Sequence, residues 1–149
     1  MTRVGAYAAA LACVVALVSG CGGEDRSAVR PRSPGQPLPG AFSGSGPGTL
    51  LAAEALYYLP PELRAGTSLA ARITYASTSG VNDSHTSVTG TVFVPLGAPP
   101  RGGWRIVALG HPVTGIDPGC APSDSPTLLG AVPDVLALVA AGYMVVMTD

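Results

Sequence analysis

The hydrophobic pattern divides the chain into an apolar start, a polar middle segment and a region in which apolar runs alternate with turns. Residues 4–18 are almost all apolar, whereas 22–48 are rich in Gly, Ser, Pro and Arg and contain almost no large apolar side chain. Beyond them, apolar runs recur with lengths that suit strands and helices. The pattern predicts a leader, a tether and one folded region.

Four segments of the folded region are predicted to be β-strands. Residues 70–78 and 87–95 are rich in β-branched and aromatic side chains and flank a polar, turn-rich stretch, which predicts an antiparallel hairpin with a long loop. Residues 104–109 and 143–148 are continuous apolar runs. Such runs are typical of strands that are buried on both faces of a parallel sheet.

Two helices are predicted between these strands. Residues 50–59 place apolar side chains almost all round a short helix, which Pro60-Pro61 would end because proline donates no backbone N–H. Pro133 can begin a second helix, and Gly142 stands where a left-handed C-cap is needed. This second helix joins the last two strands, so they are expected to be parallel. The fold class is α/β, with four strands and one crossover helix.

The first 20 residues have the organisation of a signal peptide. Arg3 precedes the apolar run, and the small residues Ser19 and Gly20 follow it. A membrane-spanning helix is the rival interpretation, but it needs about 20 apolar residues and this run is shorter. The sequence therefore predicts cleavage after residue 20.

The tetrapeptide Val18-Ser19-Gly20-Cys21 resembles the lipobox of bacterial lipoproteins. The resemblance implies that Cys21 is acylated and becomes the first residue of the mature protein. Residues 21–48 would then be a disordered tether, since they cannot bury enough surface to offset their ordering entropy. We expect an exported protein anchored to the outer face of the cell membrane. The alternative is a secreted protein with a chance cysteine at an ordinary cleavage site.

Composition excludes some partners and leaves one cysteine unexplained. The chain has eight Arg, no Lys and nine acidic residues, and its net charge of −1 with no basic run argues against nucleic acid as a partner. Neither His85 nor His111 has metal-ligand spacing to another ligand, so no metal or other cofactor is expected. Cys13 leaves with the signal and Cys21 carries lipid, which leaves Cys120 with a partner elsewhere or as a free thiol.

The segment with the most chemical information is 108–123, ALGHPVTGIDPGCAPS, which leaves the carboxyl end of a predicted strand. Ligand sites in open α/β sheets form at that position. Together with the later GYMVVMTD, its motifs Gly-His-x-x-Thr-Gly and Cys-Ala-Pro-Ser resemble the start of secretory-lipase family proteins. These are α/β-hydrolases similar to fungal lipase A and its actinobacterial relatives. The resemblance covers about residues 48–149.

The resemblance implies that Thr114 belongs to an oxyanion hole, with Gly110 and His111 in the same loop. A hydroxyl and a backbone N–H suit the negative charge that develops on a tetrahedral ester intermediate. Pro112 departs from the commoner family pattern, where glycine is frequent, and removes one N–H donor. His111 is interpreted as a loop-shaping residue, because the base of such hydrolases comes late in the chain. Cys120 is interpreted as half of a disulfide whose partner lies outside this chain.

The catalytic triad itself is expected downstream of this sequence. The chain has no Gly-x-Ser-x-Gly elbow in a strand-to-helix context, since Gly44-Ser45-Gly46 lies in the tether. In the hydrolase strand order 1-2-4-3-5 the nucleophile follows the fifth strand, and four are predicted here. Residues 49–149 are therefore expected to be the N-terminal part of an α/β-hydrolase domain. Its third strand would be left as an uncovered apolar edge.

The function that follows is that of a triacylglycerol lipase or carboxylesterase acting on a lipid or ester substrate through a Ser-Asp-His triad. Two alternatives remain open on the sequence: an α/β-hydrolase peptidase, and a surface lipoprotein or binding module without catalysis. Asp117, Asp124 and Asp149 are isolated carboxylates, which are mostly caps and turn formers. Asp149 ends a predicted strand and is interpreted as structural.

Overall fold

The computed structural model describes residues 35–56 and 58–149, in which a mixed five-stranded sheet is combined with two α-helices. The strands are β1 (Leu50–Ala55), β2 (Thr67–Thr78), β3 (His85–Pro95), β4 (Arg105–Ala108) and β5 (Tyr143–Thr148). The helices are α1 (Pro61–Gly66) and α2 (Val132–Ala140). The strand order in the sheet is β1-β2-β3-β5-β4.

Strands β2 and β3 form the antiparallel hairpin that the sequence predicts. Their register runs from Leu69 opposite Val94 to Thr78 opposite His85, and residues 79–84 form the loop. Alternate β-branched side chains pack well on the two faces of such a pair. The prediction of both strands and of their direction is confirmed.

The segment from β4 through α2 to β5 is the predicted parallel crossover. Arg105 to Ala108 of β4 pair in parallel with residues 143–146 of β5. Helix α2 has proline in its first turn, where a missing N–H costs nothing, and Gly142 at φ +83° turns the chain into β5. The parallel pair and the crossover helix are confirmed, and the α/β class is confirmed in part, since the sheet is mixed and its remaining pairs are antiparallel.

Strand β5 lies between β3 and β4, so the four predicted strands stand in the order first, second, fourth, third. Gly90 of β3 makes the close pairing possible, because a Cβ there would clash with the carbonyl oxygen of Met147. The carboxyl ends of β4 and β5 point to the same edge of the sheet, and the β2–β3 loop lies at that edge too.

The hydrophobic core lies on one face of the sheet, beneath both helices. On β5, Val145 and Met147 are fully buried while Met144 and Val146 on the opposite face are half-buried. The core cluster comprises Leu63, Ala70, Phe93, Leu128, Val132, Val135, Val139, Val145 and Met147. Because α1 and α2 both contribute to this cluster, they cover the same face of the sheet.

Strand β4 lies at the uncovered edge of the sheet, the position expected for the third predicted strand in the order 1-2-4-3-5, and it is not buried on both faces as its apolar run alone would suggest. It is an edge strand paired only with β5 in the described part of the chain, and the side chain of Ile106 is 63% exposed. The guanidinium of Arg105 stacks 4.9 Å from the ring centroid of Tyr143. The sequence shows the apolar character of the strand, but its burial depends on a neighbour that this part of the chain does not supply.

The predicted helix over residues 50–59 is wrong. Leu50–Ala55 is strand β1, which pairs antiparallel with β2, and the prolines precede α1 because Pro61 is its first residue. A helix this short is marginal in water, whereas the free edge of β2 offers a full set of backbone partners. Tertiary pairing therefore overrides the local preference of the Leu and Ala residues, and the sheet has five strands instead of four.

Part of the segment predicted as a tether lies against the sheet. The N–H of Leu38 donates to Ala53 (2.9 Å) and the N–H of Ala55 donates to Gln36 (3.0 Å), so this stretch extends along β1. Pro37 forms an isolated bridge with Glu54. The signal peptide, the acylated Cys21 and the remainder of the tether up to residue 34 lie outside the described residues and stay predictions.

We expect Ile106→Lys to reduce self-association of the chain without lowering its melting temperature. A charge on an edge strand opposes pairing with another strand, and this side chain is already mostly in water. The measurement is light scattering against protein concentration, with circular dichroism for stability.

Leu96→Lys is the matched control, since Leu96 is 58% exposed but follows the end of β3. Equal effects of the two substitutions would show that general surface charge, and not the β4 edge, controls association.

Candidate functional site

A part-buried polar network joins the β4–α2 loop (residues 109–131) to the carboxyl ends of the strands. Its centre is the carboxylate of Asp149, directly after β5. One oxygen accepts the N–H of Ser123 (2.8 Å), and the other accepts the hydroxyls of Ser123 (2.5 Å) and Thr89 (2.6 Å). In return, the backbone N–H of Asp149 donates to the carbonyl of Thr89 (3.0 Å). The carboxylate therefore bonds to both the loop and β3.

Arg72 of β2 extends this network to a third strand. Its Nε donates to the hydroxyl of Ser123 at 3.1 Å. The hydroxyl therefore accepts a hydrogen bond from a cation and donates one to the Asp149 carboxylate. Arg72 also lies 3.9 Å from Asp124, in an ion pair whose partners are partly exposed. Exposed pairs of this kind contribute little, whereas hydrogen bonds to buried charged groups are among the stronger ones. Arg72, Thr89, Ser123 and Asp149 are called the Asp149 network below.

The β4–α2 loop is shaped by short 3₁₀ turns that begin with proline. Pro118–Cys120 and Pro122–Asp124 each place proline in the first turn, where its fixed φ favours the bend. The side chain of Asp117 caps the first turn by accepting the N–H of Gly119 (2.9 Å). Asp117 is thus a turn residue, and the second turn delivers Ser123 to the sheet with 3% of its surface exposed.

The predicted oxyanion residues lie on the first part of the same loop. Gly110 follows β4 closely, and Thr114 is half-buried beside Gly115, whose φ of +119° suits glycine. The His111 Nδ1 lies 2.7 Å from the carbonyl oxygen of Pro112. A carbonyl accepts hydrogen bonds but donates none, so Nδ1 carries the proton and the ring is held against its own loop. The assignment of these three residues to an oxyanion hole stays a prediction.

Two aliphatic side chains beside Thr114 are fully exposed. The exposed fraction is 98% for Val113 and 104% for Ile116, and no charged residue lies between Gly110 and Ile116. These two side chains add apolar surface to the loop that leaves the carboxyl end of β4.

Cys120 is buried within the first 3₁₀ turn, and its thiol is free. Its predicted disulfide partner was expected outside this chain, so the pairing stays a prediction. Cys21 lies outside the described residues.

The sequence did not single out Ser123 and Arg72 as site residues. Ser123 was visible as the last residue of Cys-Ala-Pro-Ser, but its carboxylate partner is 26 residues away and Arg72 is 51 residues away. Asp149, which the sequence analysis interprets as structural, bonds to Ser123 and Thr89. A buried serine in a turn gives no local signal for partners at such separations.

No group of three or more potential metal ligands occurs in residues 35–56 and 58–149. No helix in the same part of the chain is long and apolar enough to cross a membrane.

An open groove of about 460 Å³ lies at α1, lined by Leu59, Pro61, Arg64 and Ala65, and it contains none of the loop residues described above.

Comparisons with models of protein families, with curated proteins and with solved structures found no match to this chain.

The Asp149 network predicts opposite effects for two identical substitutions on β3. Thr89 and Thr91 point to the same face, but Thr89 donates to Asp149 while the hydroxyl of Thr91 is fully buried and has no hydrogen-bond partner in the described residues. Thr89→Val should lower the free energy of unfolding by about 1–2 kcal/mol, whereas Thr91→Val should leave it unchanged or raise it by up to about 1 kcal/mol.

Urea unfolding of both variants measures the difference, and each variant is the control for the other. A loss of stability in Thr91→Val equal to that in Thr89→Val would contradict the assignment, since both changes remove one hydroxyl from the same strand.

Proposed function

We propose that this chain is the N-terminal part of an exported, lipid-anchored carboxylic ester hydrolase whose Ser-Asp-His triad lies beyond residue 149. The observation that carries the proposal is the position of β5. It inserts between β3 and β4, giving the order first, second, fourth, third for the strands predicted from sequence. This is the arrangement expected for the first four strands of the hydrolase order 1-2-4-3-5.

That strand order brings the β4–α2 loop close to the residue that follows β5. In a sheet of this kind the groups that act on substrate gather at the carboxyl ends of parallel strands. The β4–α2 loop leaves that end of β4, and Asp149 follows the same end of β5. Strand β4 is also the edge against which a fifth strand would pair. The exposed Ile106 on it is consistent with a neighbour that the described residues do not supply.

The chemistry of the loop suits acyl transfer. The hydroxyl and the N–H of Thr114 are two donors for an oxyanion, and one such donor is worth about 3–4 kcal/mol in the transition state. Val113 and Ile116 present apolar surface on either side of Thr114, which suits the acyl part of an ester. Pro112 contributes no N–H, so Thr114 and its neighbours must provide the donors.

The decisive experiment uses the protein encoded by the complete reading frame. We expect it to be labelled by a fluorophosphonate probe and to hydrolyse p-nitrophenyl esters. Thr114→Val should lower kcat by about 10²–10³-fold with little change in KM, because the hydroxyl acts mainly in the transition state. Thr86→Val, the same change at an exposed position of β3, is the control.

Absence of probe labelling would support a non-catalytic surface lipoprotein instead. Cleavage of amide substrates in preference to esters would support a peptidase. Either result overturns the proposed ester hydrolase.

The 149-residue chain by itself should show no turnover of a short-chain p-nitrophenyl ester. It supplies the loop but no nucleophilic elbow, and an oxyanion donor without a nucleophile has no tetrahedral intermediate to stabilise. Measurable hydrolysis by the purified chain, abolished by Thr114→Val, would place the catalytic serine within these residues and contradict the proposal.

The anchor is tested separately from the enzyme. We expect Cys21 to incorporate labelled fatty acid when the gene is expressed in a bacterium, and Cys21→Ser to abolish incorporation. Two or more acyl chains give stable membrane attachment, since each buried CH₂ contributes about 0.8 kcal/mol. Recovery of unlabelled wild-type protein in the medium would indicate ordinary secretion.

A further inference from the structure

We infer that Asp149 is the positioning residue of the β4–α2 loop: its carboxylate holds the second 3₁₀ turn against the sheet and keeps the loop in one conformation. The inference concerns the order of the loop and does not depend on ester hydrolysis. It rests on how the loop is attached to the strands.

The hydrogen bonds inside the loop are local. Cys120 donates to Asp117, Asp124 to Ala121 and Ser125 to Pro122, each bond spanning three residues. Such bonds shape the turns, but they do not connect them to the sheet. At its start the loop is attached by the bond from the Leu109 N–H to Val146 (2.8 Å), and at its end by Leu128 in the core.

Between these two points, Ser123 reaches the strands through the Asp149 network. It provides two of the three hydrogen bonds that the carboxylate accepts, and Arg72 Nε holds the same hydroxyl from β2. The third bond, from Thr89, orients the carboxylate on β3. The carboxylate therefore fixes the turn to β3 and β5, and Arg72 adds a direct bond from β2.

Burial makes the attachment sensitive to loss of that group. Ser123 is 3% exposed, so removal of the carboxylate leaves its N–H and its hydroxyl in a site with almost no water. An unsatisfied buried donor is costly, and the turn can regain hydrogen bonds by moving into solvent. The expected response is local opening of the loop while the hairpin stays folded.

Cys120 offers a direct measure of this opening. It lies three residues before Ser123 and is 5% exposed, so a thiol reagent reaches it only when the turn leaves the sheet. The experiment compares rates of maleimide labelling at Cys120, read by mass spectrometry of its peptide, in the wild-type chain and in Asp149→Ala. We expect labelling to be about ten- to hundredfold faster in the variant.

Two milder variants grade the effect. Asp149→Asn keeps one oxygen for the Ser123 N–H but loses the second acceptor, and Ser123→Ala removes one bond to the carboxylate. Each should give an intermediate labelling rate. In the double variant the rate should rise by less than the product of the two single increases, because both substitutions remove the bond between the Ser123 hydroxyl and Asp149. Asp134→Asn, an exposed carboxylate on α2, is the control and should leave the rate unchanged.

Hydrogen exchange of the β2–β3 amides separates local opening from general destabilisation. Because Asp149→Ala also removes the bond from Thr89 of β3, some loss of hairpin protection is expected, and the inference requires labelling at Cys120 to rise by a larger factor than hairpin protection falls. An unchanged labelling rate in Asp149→Ala overturns it. So does a fall in hairpin protection as large as the rise in labelling, which would mean that Cys120 is reached only through global unfolding.

Discussion

The arrangement of the candidate site depends on one carboxylate that accepts three hydrogen bonds. Asp149 stands where β5 ends, and its two oxygens join β3 to a turn of the β4–α2 loop. A carboxylate acceptor forms stronger hydrogen bonds than a neutral one, above all where its position is partly buried. The loop with the chemically interesting residues is therefore attached to the most regular part of the molecule.

The two faces of the sheet that supports the loop are covered to different extents by the rest of the chain. Both helices lie on one face, where Phe93 and Val145 are fully buried, while side chains of the other face are half-buried. Strand β4 lies at the edge with Ile106 mostly in water. The buried core residues of β3 and β5 therefore lie next to the Asp149 network.

Sequence patterns predicted those parts of the fold whose cause is local. The hairpin, the crossover helix with Pro133 and Gly142, and the parallel pair all follow from propensity, periodicity and capping. The predicted helix at 50–59 is wrong for a physical reason, since short apolar runs of Leu and Ala suit either state and the free edge of β2 selects the strand. The apolar run of β4 did not by itself predict whether the strand is buried, because apolar character does not specify which neighbour covers a strand; the expected strand order did place it at the edge.

In the candidate site, too, the sequence predicts the local features, whereas the fold decides which distant residues meet. The sequence by itself determined that the loop after β4 carries Thr114, His111 and the turn residues, because proline, glycine and aspartate act on the backbone within a few positions. Only the tertiary structure decided that Ser123 and Thr89 meet at Asp149 and that Arg72 bonds to Ser123. Their separations of 26 to 60 residues along the chain are closed by the insertion of β5 beside β3, and strand order is a property of the whole sheet.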